Sequence, residues 1–198
     1  MQCIVHPDAT DQYQELNTSW QGEPVTPPFY FRFHEEDHCL IFTIKRQAPS
    51  LIHPQARPGV FQENLWRYDV TEFFIATADA RHYLEFNLCP NGAWWAERFT
   101  DPRVKLPGFD AAQLRPIISA AMAADSWQAS VKLPLAYLEE WGFHLPACRL
   151  TAAAVICRDS GYTYLTTCEQ RSGKPDFHHP RDWEMAQRIT EPPEQPLQ

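Results

Sequence analysis

The fold is decided by residues 82–99, which read HYLEFNLCPNGAWWAERF. Apolar residues occupy every second position from Leu84 to Leu88, which is the period of a β-strand with one buried face. The following Asn91-Gly92 pair suits a two-residue type I′ turn, because both residue types tolerate the positive φ angles that this turn requires. The pattern therefore predicts a β-hairpin with strands at 82–89 and 93–99.

The register of this hairpin decides which side chains share its polar face. A turn at Asn91-Gly92 pairs Cys89 with Trp94, Asn87 with Ala96 and Glu85 with Arg98. The last pair joins opposite charges, which favours this register. The polar face then carries Tyr83, Glu85, Asn87, Trp94 and Arg98. A shift of one residue would place Trp95 and Glu97 on that face instead of Trp94 and Arg98.

Such a face has the composition of a sugar-binding surface. A flat aromatic ring stacks against the C–H face of a sugar, while carboxylate, amide and guanidinium groups form directed hydrogen bonds with its hydroxyls. The simpler interpretation is that the outward face of any β-sandwich is polar because it meets water. The hairpin alone leaves both interpretations open.

The rest of the chain predicts more short strands and little helix, since eighteen prolines restrict long helices. Alternation predicts strands at 30–34, 39–46, 70–77, 127–133, 149–158, 162–168 and 183–189. A short helix is predicted at 134–141, ending at Gly142, and another at 117–124 from its alanine content. Residues 49–62 and the remainder of 100–125 are predicted to be loops.

These elements predict an all-β protein, an antiparallel β-sandwich with one or two short helices. A single domain is expected over residues 1–190, followed by a disordered tail at 191–198.

Charge and composition exclude several classes of function. The net charge is −8 and no cluster of Lys or Arg is present, which argues against nucleic acid and membranes as partners. The sequence shows neither a signal peptide nor an apolar stretch long enough to span a bilayer, so a cytoplasmic location is expected. The six cysteines are then expected to be free thiols.

Four spaced motifs carry a family resemblance. They are Glu63-Asn64-Leu65-Trp66-Arg67, Glu72-Phe73-Phe74-Ile75, the segment from Tyr83 to Trp94, and Lys174-Pro175-Asp176-Phe177-His178-His179. Together they resemble the pattern of DOMON-like bacterial proteins, stand-alone domains related to the family 9 carbohydrate-binding modules. The resemblance covers residues 63–189, and the segment 4–62 fits it only loosely.

The resemblance implies a β-sandwich with a ligand groove on one sheet. Family 9 modules hold a sugar between two aromatic residues, and Trp66 matches the first of these positions. Phe177 is the nearest match to the second, where a Trp is usual. Adding the polar face of the hairpin gives ten candidate ligand-binding residues: Trp66, Arg67, Glu72, Tyr83, Glu85, Asn87, Trp94, Arg98, Phe177 and His178.

The first functional hypothesis is therefore a non-catalytic domain that binds a carbohydrate or sugar derivative. Three alternatives stay open: a haem-binding or redox module of the DOMON type with a His and a Met or Lys at the iron, a glycoside hydrolase that uses Glu72 and Glu85, and a protein-interaction domain. No cofactor is expected, with haem and a calcium ion at the acidic turn Glu35-Glu36-Asp37 as alternatives.

Overall fold

Two β-sheets packed face to face contain the strands of this protein. The structure is a computed structural model, and it describes residues 1–9, 11–145, 147–168 and 173–189. The predicted tail at 191–198 lies outside the described residues. Within them the elements are β1 (Ile4–His6), β2 (Gln14–Thr18), β3 (Pro24–Glu36), β4 (Cys39–Arg46), β5 (Val70–Thr77), β6 (Tyr83–Leu88), β7 (Trp94–Asp101), β8 (Val104–Lys105), β9 (Ile117–Met122), β10 (Trp127–Pro134), α1 (Leu135–Glu140), β11 (Cys148–Arg158), β12 (Gly161–Thr166) and β13 (Gln187–Arg188).

Hydrogen bonds between neighbouring strands define the strand order of each sheet. One sheet has seven strands in the order β13-β1-β3-β4-β10-β9, with β2 paired to β3, and the other has six in the order β12-β11-β5-β6-β7-β8. All pairings are antiparallel except those of β1 with β3 and with β13. The predicted β-sandwich is confirmed.

Phenylalanine rings from both sheets meet in the core between them. The ring centroids of Phe33 and Phe42 in the seven-stranded sheet are 4.8 Å apart, and that of Phe42 is 5.2 Å from that of Phe73 in the six-stranded sheet. Phe73 and Phe86 stack with centroids 5.4 Å apart. The apolar positions of the alternating patterns therefore face one another, which leaves the polar positions on the two outer faces.

The hairpin between β6 and β7 has a different turn from the predicted one. Its loop has three residues, Pro90-Asn91-Gly92, because the N–H of Gly92 donates to the carbonyl oxygen of Cys89 at 2.8 Å and only Gly92 has a positive φ, +86°. Pro90 presets the φ of a type I turn, and Gly92 takes the left-handed position that follows it. The predicted two-residue type I′ turn is therefore wrong.

The longer loop shifts the register by one residue. Glu85 pairs with Glu97, Asn87 with Trp95 and Leu88 with Trp94. Trp94 faces the core, where its ring stacks on Phe86 at 5.6 Å. Arg98 lies opposite Leu84, with its guanidinium 4.6 Å from the Trp141 ring centroid. The predicted placement of Trp94 and Arg98 on the polar face is therefore wrong, and the alternative register with Trp95 and Glu97 is correct.

Two other local predictions are also corrected. Residues 117–122 form β9 rather than a helix, because pairing with β10 outweighs the helix propensity of alanine. Of the strand predicted at 183–189, only Gln187–Arg188 forms one, and Trp183 directly follows the short 3₁₀ turn Pro180–Asp182.

The predicted helix at 134–141 is confirmed as α1, and Gly142 follows it with φ +86°. Within the described residues, no helix has the length and apolar character that crossing a membrane requires.

Candidate functional site

Loops cover the outer face of the six-stranded sheet. Near its centre the ring of Trp183 lies 5.3 Å from that of Phe74 and 5.4 Å from that of Tyr83, measured between centroids. Toward one end Leu65, from the loop before β5, packs with Val70 and Phe177. Polar side chains that alternate outward on β5 and β6 are therefore buried rather than solvated: Glu72, Glu85 and Asn87 are 4%, 6% and 1% exposed.

A pocket of about 490 Å³ opens between this sheet and its covering loops. Its floor carries Glu72 from β5 and Glu85 from β6, which lie on the same face of adjacent strands. The lining also includes five aromatic side chains, Trp66, Trp95, Phe99, Tyr164 and Phe177. A pocket with aromatic walls and a few polar groups at its base is the usual form of a small-molecule site.

Burial disfavours the ionised forms of the two floor carboxyls. Burial raises the pKa of Glu85 to about 7. Burial, together with the charge of Glu85, raises the pKa of Glu72 well above its ordinary value. No described residue hydrogen-bonds to the side-chain carboxyl of Glu72 or forms an ion pair with it. The Asn87 amide lies near enough to favour ionised Glu85, but neither of its polar atoms completes a well-formed hydrogen bond to a described residue.

His178 is held over Glu85 by a relay of hydrogen bonds. The Arg103 backbone N–H donates to the Tyr83 hydroxyl at 3.0 Å, and that hydroxyl lies 2.7 Å from His178 Nδ1. The Nε2 atom is 3.6 Å from a Glu85 carboxylate oxygen. Burial lowers the pKa of His178 to about 4, so the ring is neutral near pH 7. A Tyr83 hydroxyl that donates to Nδ1 leaves the proton on Nε2, facing Glu85.

The two cations of the pocket are already paired. Arg103 Nη2 lies 2.8 Å from an Asp176 carboxylate oxygen, and Lys105 Nζ lies 2.9 Å from a Glu97 carboxylate oxygen. These bonds hold β8 and the C-terminal segment at the pocket wall. They also leave the floor carboxyls without a cation at ion-pair distance among the described residues.

Trp66 forms an exposed aromatic rim. It lies in the 3₁₀ turn Leu65–Arg67, preceded by Asn64 with φ +62°. Leu65 is buried beneath the loop, and the next residue, Trp66, is 50% exposed. An exposed indole at the mouth of a pocket offers a flat apolar surface on which a ligand ring can stack.

The ten predicted site residues fall into three groups. Trp66, Glu72, Glu85, Phe177 and His178 line the pocket. Tyr83 and Asn87 are buried beside these residues on the same sheet face. Arg67, Trp94 and Arg98 do not line it. Arg67 lies beside Trp66, with its guanidinium 5.3 Å from the indole centroid, and the other two belong to the core-facing side of β7.

Sequence reasoning missed several lining residues. Trp95 follows from the alternative register of the hairpin, and Tyr164 alternates within the predicted strand 162–168. Arg103 and Lys105 lie in a segment predicted to be a loop, which folds back as β8. No periodic pattern in so short a strand could place their side chains.

The residues that would hold a calcium ion or a haem form bonds with other side chains. Glu35 pairs with Arg188 at 2.9 Å and Glu36 with Lys132 at 2.6 Å, so two carboxylates of the proposed calcium turn are in ion pairs. His178 and Lys105, the nearest equivalents of a haem-ligand pair, are bonded to Tyr83 and Glu97. The expectation that no cofactor is bound stays a prediction.

Comparison with known proteins agrees with this architecture. No protein-family profile matches the chain. A candidate carbohydrate-binding protein from Bacteroides uniformis superposes with a TM-score of 0.72 at 13% identity, covering 96% of this chain and 98% of that one. A family 9 carbohydrate-binding module from Caldicellulosiruptor kristjanssonii, in complex with glucose, gives a TM-score of 0.66 at 9% identity over the whole of both chains. The chain has a family 9-like fold. The same module in complex with cellotriose gives 0.64.

One curated relative is similar over part of its length. UPF0462 protein C4orf33 from Homo sapiens is 33% identical over 82 residues, which are 39% of this chain and 40% of the human protein. The chain thus aligns with about two fifths of that relative. The family 9-like fold is confirmed, and the narrower resemblance to bacterial DOMON-like proteins stays a prediction.

Proposed function

We propose that this protein is a non-catalytic domain that binds a carbohydrate in the pocket above Glu72 and Glu85. The observation that carries the proposal is the combination of an exposed Trp66 at the rim with buried carboxyls at the floor. A sugar needs both, because its C–H faces stack on aromatic rings while its hydroxyls need directed acceptors and donors.

The fold supports this choice of ligand. The family 9 module from Caldicellulosiruptor kristjanssonii, which has a similar fold, was solved with glucose and with cellotriose. Glucose and short β-glucans are therefore the first probes to use, although the ligand of this chain is set by its own pocket. In this proposal Trp66 and Phe177 contact the sugar faces, while Glu72, Glu85 and His178 contact hydroxyls.

A thermal-shift screen of the intact protein against mono- and oligosaccharides tests the proposal. A ligand present at 100 times its dissociation constant stabilises the folded state by about 2.7 kcal/mol, which raises the melting temperature measurably. For the sugar that binds, Trp66→Ala is expected to weaken affinity about tenfold, since one stacking contact is lost. Tyr162→Ala is the matched control, because Tyr162 is also an exposed aromatic on this sheet but does not line the pocket.

Two outcomes contradict the proposal. One is that no sugar in the panel raises the melting temperature of the wild type, which favours a protein-interaction surface. The other is that a sugar binds and is cleaved, with products detected by chromatography and lost in Glu72→Gln. That result would favour the glycoside hydrolase alternative.

A further inference from the structure

The floor of the pocket holds two buried carboxyls that the described part of the chain does not neutralise. Glu72 and Glu85 are on neighbouring strands and face the same way. The Glu72 side chain is 4% exposed and has no ion pair or hydrogen bond to a described residue, and the Glu85 carboxyl has only neutral groups beside it, the Asn87 amide and His178 at 3.6 Å. A buried carboxylate without a cation is unfavourable unless a ligand completes it.

No described charged group forms an ion pair with these two carboxyls, although Arg103 and Lys105 lie near enough to favour their ionised forms. Arg103 and Lys105 are committed to Asp176 and Glu97. The remaining described groups around the pocket are acidic or neutral near pH 7. They are Glu63 from the loop before β5, Tyr164 from β12, and His178 from the C-terminal segment. An incoming positive charge would therefore meet two carboxyls at the floor.

The aromatic walls of the pocket also favour the binding of a cation. Trp66, Trp95, Phe99, Tyr164 and Phe177 line the same space. The faces of aromatic rings attract ammonium groups, most strongly where water is excluded. Aromatic walls over paired carboxyls are thus suited to a protonated amine. A neutral sugar would use the same walls but would bring no charge to stabilise the ionised carboxyls.

From this arrangement we propose that the preferred ligand class is a cationic amino sugar, whose ammonium group lies against Glu72 and Glu85. This inference rests on the proposed carbohydrate function and narrows its ligand. Charge-assisted hydrogen bonds are roughly twice as strong as neutral ones, so the preference for the amine over the hydroxyl at the same ring position is about tenfold or more.

The preference depends on pH in a defined direction. Burial raises the pKa of Glu85 to about 7 and that of Glu72 well above its ordinary value. The pair therefore holds protons at pH 5.5, and the ammonium then meets neutral acids. As pH rises toward 7.5, an ammonium at the floor favours ionised carboxylates, and the protons that the carboxyls lose pass to unprotonated amine or to the buffer. A neutral sugar shows neither the steep pH dependence nor the proton release.

Titration calorimetry with matched probes tests this inference on the full chain. The probes are glucosamine, glucose and N-acetylglucosamine, and the corresponding trimers of β-linked glucosamine and glucose. At pH 7.5 the amine-bearing sugars are expected to bind about tenfold tighter than the other probes of equal length. The advantage is expected to disappear at pH 5.5. Buffers with different ionisation enthalpies report the proton release.

Substitutions at the pocket floor test whether Glu72 and Glu85 cause the preference for the amine. Glu72→Gln and Glu85→Gln keep the shape of the side chain, and each is expected to remove most of the preference for the amine over the hydroxyl. The matched control is Glu139→Gln, which removes an exposed carboxylate of α1 that does not line the pocket. It is expected to keep the preference. Melting temperatures show that each variant is folded.

The outcomes separate this inference from the broader proposal. If glucose and cellotriose bind as tightly as their amino analogues, the ligand is a neutral sugar and only the inference is overturned. If no probe of either kind binds, the carbohydrate function fails with it. If the amine preference survives in both Gln variants, the floor carboxyls are not its cause, and the inference is overturned.

Discussion

The outer faces of the two sheets begin from the same alternation of polar and apolar residues but meet different surroundings. Along β10 of the seven-stranded sheet, Gln128 is exposed and Ser130 and Lys132 are half-buried, whereas the outward Thr43 of the neighbouring β4 is buried. On the six-stranded sheet, the equivalent outward residues Glu72 and Glu85 are buried beneath loops. The difference shows that alternation predicts which residues point outward, whereas loops decide which of them become a site.

Burial changes the chemistry of the polar face. Polar groups in contact with water are satisfied by solvent, but a covered carboxyl must find a partner or keep its proton. The covered face therefore has raised carboxyl pKa values and a lowered His178 pKa. Such groups in a pocket are the expected signature of a functional site.

The largest expected loss of stability comes from removing Trp183, which covers the outer face of the six-stranded sheet. Trp183 is 1% exposed and packs on Phe74 and Tyr83. Trp183→Ala is expected to lower the free energy of unfolding by about 3–5 kcal/mol, because it leaves a cavity over the sheet. Gln128→Ala, on the uncovered outer face, is expected to change it by less than about 0.5 kcal/mol. Equal effects in urea denaturation would contradict the difference between the two faces.

Glu85→Gln tests the electrostatics of the covered face. Because the folded-state pKa of Glu85 is about 7 against 4.5 ordinarily, the native state binds more protons than the unfolded state, so this group lowers stability as pH rises through that range. His178 acts in the opposite direction between pH 4 and 6.5, where its lowered pKa makes stability rise with pH.

The stability of Glu85→Gln relative to the wild type is therefore expected to increase by about 3 kcal/mol between pH 4 and 8. Denaturation curves over this pH range provide the measurement. Parallel stability profiles for the two proteins would show that Glu85 titrates normally.

A somewhat smaller effect is expected at the turn that sets the register. A Cβ at Gly92 would lie 3.1 Å from Ala120 Cβ and 3.2 Å from Ile118 Cγ2, at φ +86°. Gly92→Ala is expected to cost about 2 kcal/mol, from left-handed strain plus overpacking. Gly108→Ala has a similar φ, +76°, with nothing within 4 Å, and is expected to cost about 1 kcal/mol. Equal thermal destabilisation would argue against the close approach of the hairpin to β9.

The smallest effect on stability is expected at the rim. Trp66 is half-exposed, so Trp66→Ala is expected to change the free energy of unfolding by less than about 0.5 kcal/mol. Trp127→Ala, a buried tryptophan of the core, is the control and is expected to cost about 3–5 kcal/mol. A large loss at Trp66 would mean that the indole supports the loop rather than faces a ligand.

Much of the fold could be predicted from the sequence because alternation is a local property. The strands around residues 39–46, 70–77 and 82–89 follow it closely. The register of the β6–β7 hairpin could not be fixed in this way, because Pro90 and Gly92 fit a three-residue loop as well as Asn91-Gly92 fits a two-residue one. The difference of one residue in loop length decides whether Trp94 or Trp95 lies on the pocket side.

The pocket lining could be predicted where a residue lies on a strand or in a matched motif, as with Glu72, Glu85, Phe177 and His178. Arg103 and Lys105 were not, since their position depends on a two-residue strand that forms only against β7. The burial of the floor carboxyls could not be predicted from the sequence either. It depends on the loop segment that contains Phe177 and Trp183, which is distant in sequence from Glu72 and Glu85.

The most direct test of the central claim is to locate the ligand on one face of the molecule. The seven tryptophans give distinct indole N–H signals in a nitrogen–proton correlation spectrum. On addition of the sugar that raises the melting temperature most, the signals of Trp66 and Trp95 are expected to move. Those of Trp127 and Trp141, which do not line the pocket, should stay in place. Movement of Trp127 or Trp141 without Trp66 and Trp95 would contradict a site on the covered face of the six-stranded sheet.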